Sequence, residues 1–141
     1  MTRPSLVKVW LSVVLLAALV ATPFVARSQA QAAKTQTVRH VVVFKYKPEA
    51  TPAQIQQITD AIRKLATSIP GILALEDGVN NSPENKNQGF THVFLLTFKD
   101  AAARDAYLPH PEHVKFGQLL RGSGIFVDAF VVDYVPTSTK P

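Results

Sequence analysis

The chain contains no cysteine. No disulfide can form and no lipid can be attached to an amino-terminal Cys, so an exported form would have to be stable through packing alone. Internal repeats and low-complexity tracts are also missing, which removes repeat arrays and compositionally biased segments from consideration. There is no basic stripe. Lys and Arg number 15 against 10 Asp and Glu, but Arg3, Lys8 and Arg27 fall in an amino-terminal segment that holds no acid. The remaining excess is small and scattered, whereas nucleic-acid binding usually shows a clustered basic face, so no nucleic-acid partner is expected. No H-E-x-x-H helix and no acid-rich cluster accompanies the histidines. His110 and His113 have a spacing that could suit a shared ion, but with so weak a motif neither a metal nor any other cofactor is expected.

What is present begins with an apolar run from Val9 to Val20, preceded by Arg3 and Lys8 and followed by Ser28-Gln29-Ala30 and Ala30-Gln31-Ala32. A positive start, a short apolar stretch and an A-x-A-like exit compose a secretory signal peptide. Residues 1–32 are therefore read as a leader, with export to the periplasm or the extracellular space after cleavage. The alternative is an uncleaved anchor, because Phe24, Val25 and Ala26 extend the apolar character toward the roughly 20 residues that span a bilayer. A membrane association is expected only in that case. Residues 33–37 then serve as a short linker, 38–135 as one domain and 136–141 as a disordered tail. About a hundred residues suffice for one small domain and not for two.

Within the domain the apolar pattern reads strand, helix, strand, strand, helix, strand. Val38 to Tyr46 is apolar on both faces. Thr51 as N-cap, Pro52 at the first helical position and Gln54 three residues after the cap announce a helix. Ile55, Ile58, Ile62, Leu65 and Ile69 give it one apolar face, and Pro70-Gly71 stops it. Ile72 to Val79 reads as a second strand, Asn80 to Gly89 as turn material, and Phe90 to Phe98 as a third strand, again apolar on both faces. Asp100 caps a short helix over Ala101 to Leu108, Pro109 and Pro111 interrupt it, and a further helical piece surrounds Val114 to Leu120. The last strand is Ile125 to Val135.

This order, β-α-β-β-α-β, predicts an α+β, ferredoxin-like protomer: a four-stranded antiparallel sheet with helices on one face. Helices on one face cannot cover strands that are apolar on both. An exposed apolar sheet of that size usually marks an interface, so a homodimer is expected, with two sheets packed face to face.

All four histidines of the chain lie inside this domain. Histidine is the side chain most easily moved across neutrality by its surroundings, so a set gathered by folding could serve proton transfer or polar-ligand binding. His40 and His92 each sit near the start of an apolar strand. The first and third strands of such a sheet are expected to run adjacent and parallel, which makes the two rings neighbours on one face. Tyr107 and His113 stand six residues apart across two prolines, a spacing that lets a kinked helical segment lay both over the sheet. The alternatives are structural: His40 and His92 as buried groups bonded to each other, to backbone or to water, Tyr107 as a core aromatic with its hydroxyl tied off, and His110 as a cap for the helix that Pro111 begins.

The segments Arg39 to Lys47, Ile69-Pro70-Gly71-Ile72, Gly89-Phe90-Thr91-His92-Val93, Tyr107-Leu108-Pro109-His110-Pro111-Glu112-His113 and Phe130 to Tyr134 together resemble the stress-responsive dimeric α/β-barrel (Dabb) family. The resemblance covers Val38 to Val135 in the right order. It implies a ferredoxin-like protomer that dimerises into an α/β barrel. Family members include plant stress-induced proteins and a plant branch that is similar to a polyketide cyclase, which promotes aldol closure of a linear polyketide. In that branch a tyrosine and a histidine carry the proton chemistry, and they match Tyr107 and His113; two further cavity histidines match His40 and His92. Aldol closure needs a base next to a carbonyl and a donor for the developing enolate oxygen. A neutral His113 suits the first role and the Tyr107 hydroxyl the second.

Three functions are compatible with these residues: an exported dimer that binds a small, partly apolar ligand in a His/Tyr-lined cavity, a cyclase-like acid–base enzyme without cofactor, and a structural, stress-protective dimer. Export favours the first, because an intracellular pathway would leave a reactive polyketide in the cytoplasm.

Overall fold

The structure, a computed structural model, describes residues 36–137. The leader expected at 1–32, most of the linker at 33–37 and the end of the tail at 136–141 lie outside the described residues. In chain order the elements are β1 (Val38–Tyr46), α1 (Pro52–Ser68), β2 (Ile72–Val79), β3 (His92–Phe98), α2 (Ala101–Tyr107), α3 (Pro111–Gly122) and β4 (Phe126–Tyr134). They form one four-stranded sheet in the order β2-β3-β1-β4, with every neighbouring pair antiparallel.

The local signals act where they stand in the sequence. The Thr51 side chain accepts from the Gln54 backbone N–H, and the Gln54 side-chain oxygen accepts from the Thr51 N–H at 3.0 Å, so two otherwise orphaned donors at the start of α1 are satisfied. Ile58, Ile62 and Leu65 then bury one face of the helix against the sheet. Gly71 makes the corner into β2 with φ of +94°, a left-handed conformation that glycine adopts without steric cost. β3 begins two residues later than its apolar run. Phe90 is held in the preceding turn, its N–H bonded to the Asn87 carbonyl at 2.8 Å and its own carbonyl to the Asn87 side chain at 3.0 Å.

The direction of β3 differs from the sequence expectation. His92 pairs with Phe44, while His40 pairs with Leu96. The crossover through α1 returns the chain so that β2 runs in the sense of β1, and the β2–β3 hairpin then reverses it. His40 and His92 therefore occupy opposite ends of the sheet and are not neighbours.

The core lies between the sheet and the helices. On β1, Val38, His40, Val42 and Phe44 are buried there, together with Phe94, Leu96 and Phe98 of β3. Among the described residues, no helix lies on the opposite face. On that side β4 presents Phe130, Val132 and Tyr134, which remain 53%, 40% and 47% exposed. Among the described residues, no helix is long and apolar enough to cross a membrane.

Candidate functional site

The corner between α2 and α3 assembles the first part of the site. Asp100 caps α2 by accepting from the Ala103 N–H at 2.7 Å, and the helix ends at Tyr107. The His110 N–H then bonds the Tyr107 carbonyl at 3.0 Å. Pro111 opens α3, and the His110 Nδ1 caps it by accepting from the Glu112 N–H at 3.2 Å, which is the structural role its sequence position suggested. The turn brings the rings of Tyr107 and His113 to 4.2 Å between centroids. Tyr107 is only 2% exposed and packs against Phe98 and His40 at 5.0 and 5.8 Å. Burial pushes its phenol well above the ordinary range, so the hydroxyl is a donor and not a phenolate.

Hydrogen-bond partners fix the proton positions on two rings. His113 places Nδ1 2.9 Å from the Leu108 carbonyl. A carbonyl only accepts, so Nδ1 carries the proton and the neutral ring keeps its free lone pair on Nε2. His40 is buried, and its Nδ1 lies 2.5 Å from Oδ1 of Asp133. A carboxylate also only accepts, so His40 has the same tautomer when neutral. Asp133 in turn takes a hydrogen bond from Arg104 on its second oxygen, which satisfies the carboxylate on both sides and orients the imidazole.

These groups meet at one cavity of about 310 Å³, lined by His40, Tyr107 and His113 among mostly apolar neighbours such as Val42, Phe44, Phe116 and Val131. It combines an apolar body with convergent polar atoms, the usual composition of a small-molecule site. His92 is not part of it. That ring lies against Tyr46 at 5.0 Å, with Nδ1 2.9 Å from the Thr91 hydroxyl, and lines a different cavity of about 440 Å³ between α1 and β2. Burial lowers the pKa of His92, favouring the neutral ring. Among the described residues, no group of three or more His, Cys, Asp or Glu side chains is placed to hold a metal.

Of the four residues singled out in the sequence, folding thus gathers His40, Tyr107 and His113 and leaves His92 apart. Sequence reasoning missed Asp133 and Arg104. The only signal was a pair of acids, Asp128 and Asp133, inside an otherwise apolar strand. The partner of Asp133 became visible only through the β1–β4 register, which sets it opposite His40.

Fold and cavity together define a ferredoxin-like α+β protein with a His- and Tyr-lined pocket under its helices. The model of the Stress responsive A/B Barrel Domain matches residues 38–136, and the chain belongs to that family. It is 35% identical over 103 residues to the stress-response A/B barrel domain-containing protein HS1 of Arabidopsis thaliana, covering 73% of this chain and 93% of that one. Olivetolic acid cyclase of Cannabis sativa is 31% identical over 99 residues, covering 70% and 96%. Among solved structures, hydroxynitrile lyase from Passiflora edulis superposes with a TM-score of 0.66 at 26% identity, covering 75% of this chain and 98% of that one. A protein from Jannaschia described as dimeric and ferredoxin-like superposes with a TM-score of 0.59 at 30% identity, covering 70% and 97%.

Proposed function

We propose that this chain is an exported, homodimeric A/B barrel protein that takes a small, partly apolar organic molecule into the cavity beneath α2 and α3. The observation that carries this reading is the convergence of His40, Tyr107 and His113 on one apolar-walled space of about 310 Å³. With Nδ1 engaged on both imidazoles, each neutral ring offers an acceptor through Nε2, and Tyr107 offers a hydroxyl donor. A molecule with a hydroxyl or carbonyl group on an apolar body matches that set. Pairing into a dimer is supported by the uncovered apolar face of the sheet and by relatives described as dimeric. Export rests on the leader pattern of residues 1–32.

A second reading is favoured by the contact between Tyr107 and His113 and by relatives that bear the names of a cyclase and a lyase. In it, Nε2 of His113 removes a proton from carbon beside a carbonyl while the Tyr107 hydroxyl bonds the enolate oxygen. The enolate carbon then attacks a second carbonyl carbon of the same molecule, and the resulting alkoxide recovers the proton from His113.

Native mass spectrometry of the protein purified gently from its own host tests both readings. The binding reading expects a dimer of leader-free chains carrying a discrete extra mass, which His113→Ala loses while remaining folded. An unprocessed chain sinks export, and retention of the same mass by His113→Ala sinks this site. Conversion of a linear poly-β-ketone to a ring product, abolished by Tyr107→Phe, would replace binding with turnover.

A further inference from the structure

We infer that the first cavity, read as the ligand site of His40, Tyr107 and His113, selects organic acids, and that Arg121 binds their carboxylate; this depends on that reading and narrows it to a class of molecule. His113, Gly117 and Arg121 follow one another at intervals of four along α3, so they share one face of the helix. All three line the cavity. Eight residues of helix span about 12 Å along the axis, but the charge of Arg121 does not lie that far from His113. Its guanidinium turns back over Gly117: a Cβ built on that glycine would stand 3.2 and 3.4 Å from the two terminal nitrogens and 3.6 Å from the central carbon. Helical side chains lean toward the amino terminus, and with no side chain at 117 the guanidinium has room to settle one turn from His113. Glycine is a poor helix former, so its place inside α3 calls for a reason, and the seat of the guanidinium supplies one.

The ligand class follows from which charges are already engaged. Arg63, Arg104 and Lys115 each hold a carboxylate; Arg121, among the described residues, holds none. No Asp or Glu lines the cavity, so Arg121 brings it a positive charge that no acid in the wall offsets. Asp133, the acid behind His40, is taken up by His40 and Arg104. A basic residue in the last turn of a helix ordinarily serves the free carbonyls there. In α3 that task falls to Ser123, whose N–H and hydroxyl donate to the Leu120 carbonyl at 3.3 and 2.7 Å, while Arg121 points the other way. The planar fork of a guanidinium matches a carboxylate through two parallel hydrogen bonds. Phe116, Leu120 and Val131 line the same space and receive an apolar body. A hydroxy or keto acid, with its hydroxyl or carbonyl group toward His113 and Tyr107 and its carboxylate toward Arg121, matches the whole set.

The test titrates the full chain calorimetrically with para-hydroxyphenylpropionate and with its amide, which matches it in size and carries no charge, at about pH 7.5, where the carboxylate is ionised. The acid should bind about tenfold more tightly than the amide, roughly the effect of one charge-assisted contact. Arg121→Gln should bring the two affinities together. Arg121→Lys should restore only part of the preference, because an ammonium cannot form the fork. Gly117→Ala, which crowds the guanidinium, should reduce the preference as well. Each variant is judged by two ligands on the same protein, so a loss of folded material cannot imitate the result. Equal binding of acid and amide to the parent chain, or a preference that survives Arg121→Gln, would overturn the role of Arg121 and leave the cavity standing as a ligand site. Binding of neither compound would sink the reading of the cavity itself, and the acid class with it.

Discussion

Replacing Asp133 by Asn preserves the size of the side chain and removes the charge that holds His40 and receives Arg104. The expected outcome is a stable protein with about tenfold weaker ligand binding at the first cavity, roughly the worth of one charge-assisted hydrogen bond. Calorimetric titration with phenol checks the affinity, and a thermal melt checks the fold; unchanged affinity would make the Asp133 contact purely structural. His92 supplies a pH prediction. Burial lowers its pKa from the ordinary 6.5, so on acidification the unfolded chain takes up a proton that the folded chain resists. The stability tied to this ring is whole above about pH 6.5 and is lost as pH falls through the lower folded value. Melting temperatures at about pH 7.5 and about pH 5.5 should differ less in His92→Gln than in the parent chain. Of these two residues, His92 was visible in the sequence as a polar group on an apolar strand. Asp133 was not recognised, because its partner lies 93 residues away and only strand register joins them.

Among the elements, the corner between α1 and β2 is the most demanding. A Cβ on Gly71 would stand 2.7 Å from the Cβ of Ala103 in α2, in addition to the cost of the left-handed backbone. Gly71→Ala should therefore destabilise the fold by more than about 1 kcal/mol in urea denaturation, and an unchanged midpoint would show that α2 gives way freely. The Pro70-Gly71 pair announced this corner, and the Thr51/Gln54 box announced the helix before it, because caps and turns are made by residues close in sequence. The bounds of β1 and β2 were legible for the same reason. β3 started later than its apolar run suggested, since the Asn87 side chain ties Phe90 into the turn. α3 started earlier, at Pro111, once His110 supplied its cap.

At the scale of the whole molecule, the sheet face that the described helices leave bare is where the proposed dimer would pair. Phe130, Val132 and Tyr134 line up on β4 opposite the apolar side of β1, and water against such a surface is unfavourable. Val132→Glu places a charge in its middle. It should shift the protein from dimer to monomer in light scattering while circular dichroism stays native, and a parent chain that is already monomeric at micromolar concentration would defeat the expectation.

The amino-acid sequence by itself determined the elements, their order, the two-faced strands and the pairing of Tyr107 with His113. Each of these depends on periodicity or on groups a few residues apart, and such interactions are set before the chain is compact. Tertiary structure alone decided that β3 runs against β1, that His40 meets Asp133, and that His92 stands at the other end of the sheet, in the wall of a different cavity. Those outcomes depend on strand direction and register, which are fixed by a crossover and a hairpin acting on the chain as a whole and leave no mark at the residues they bring together or keep apart.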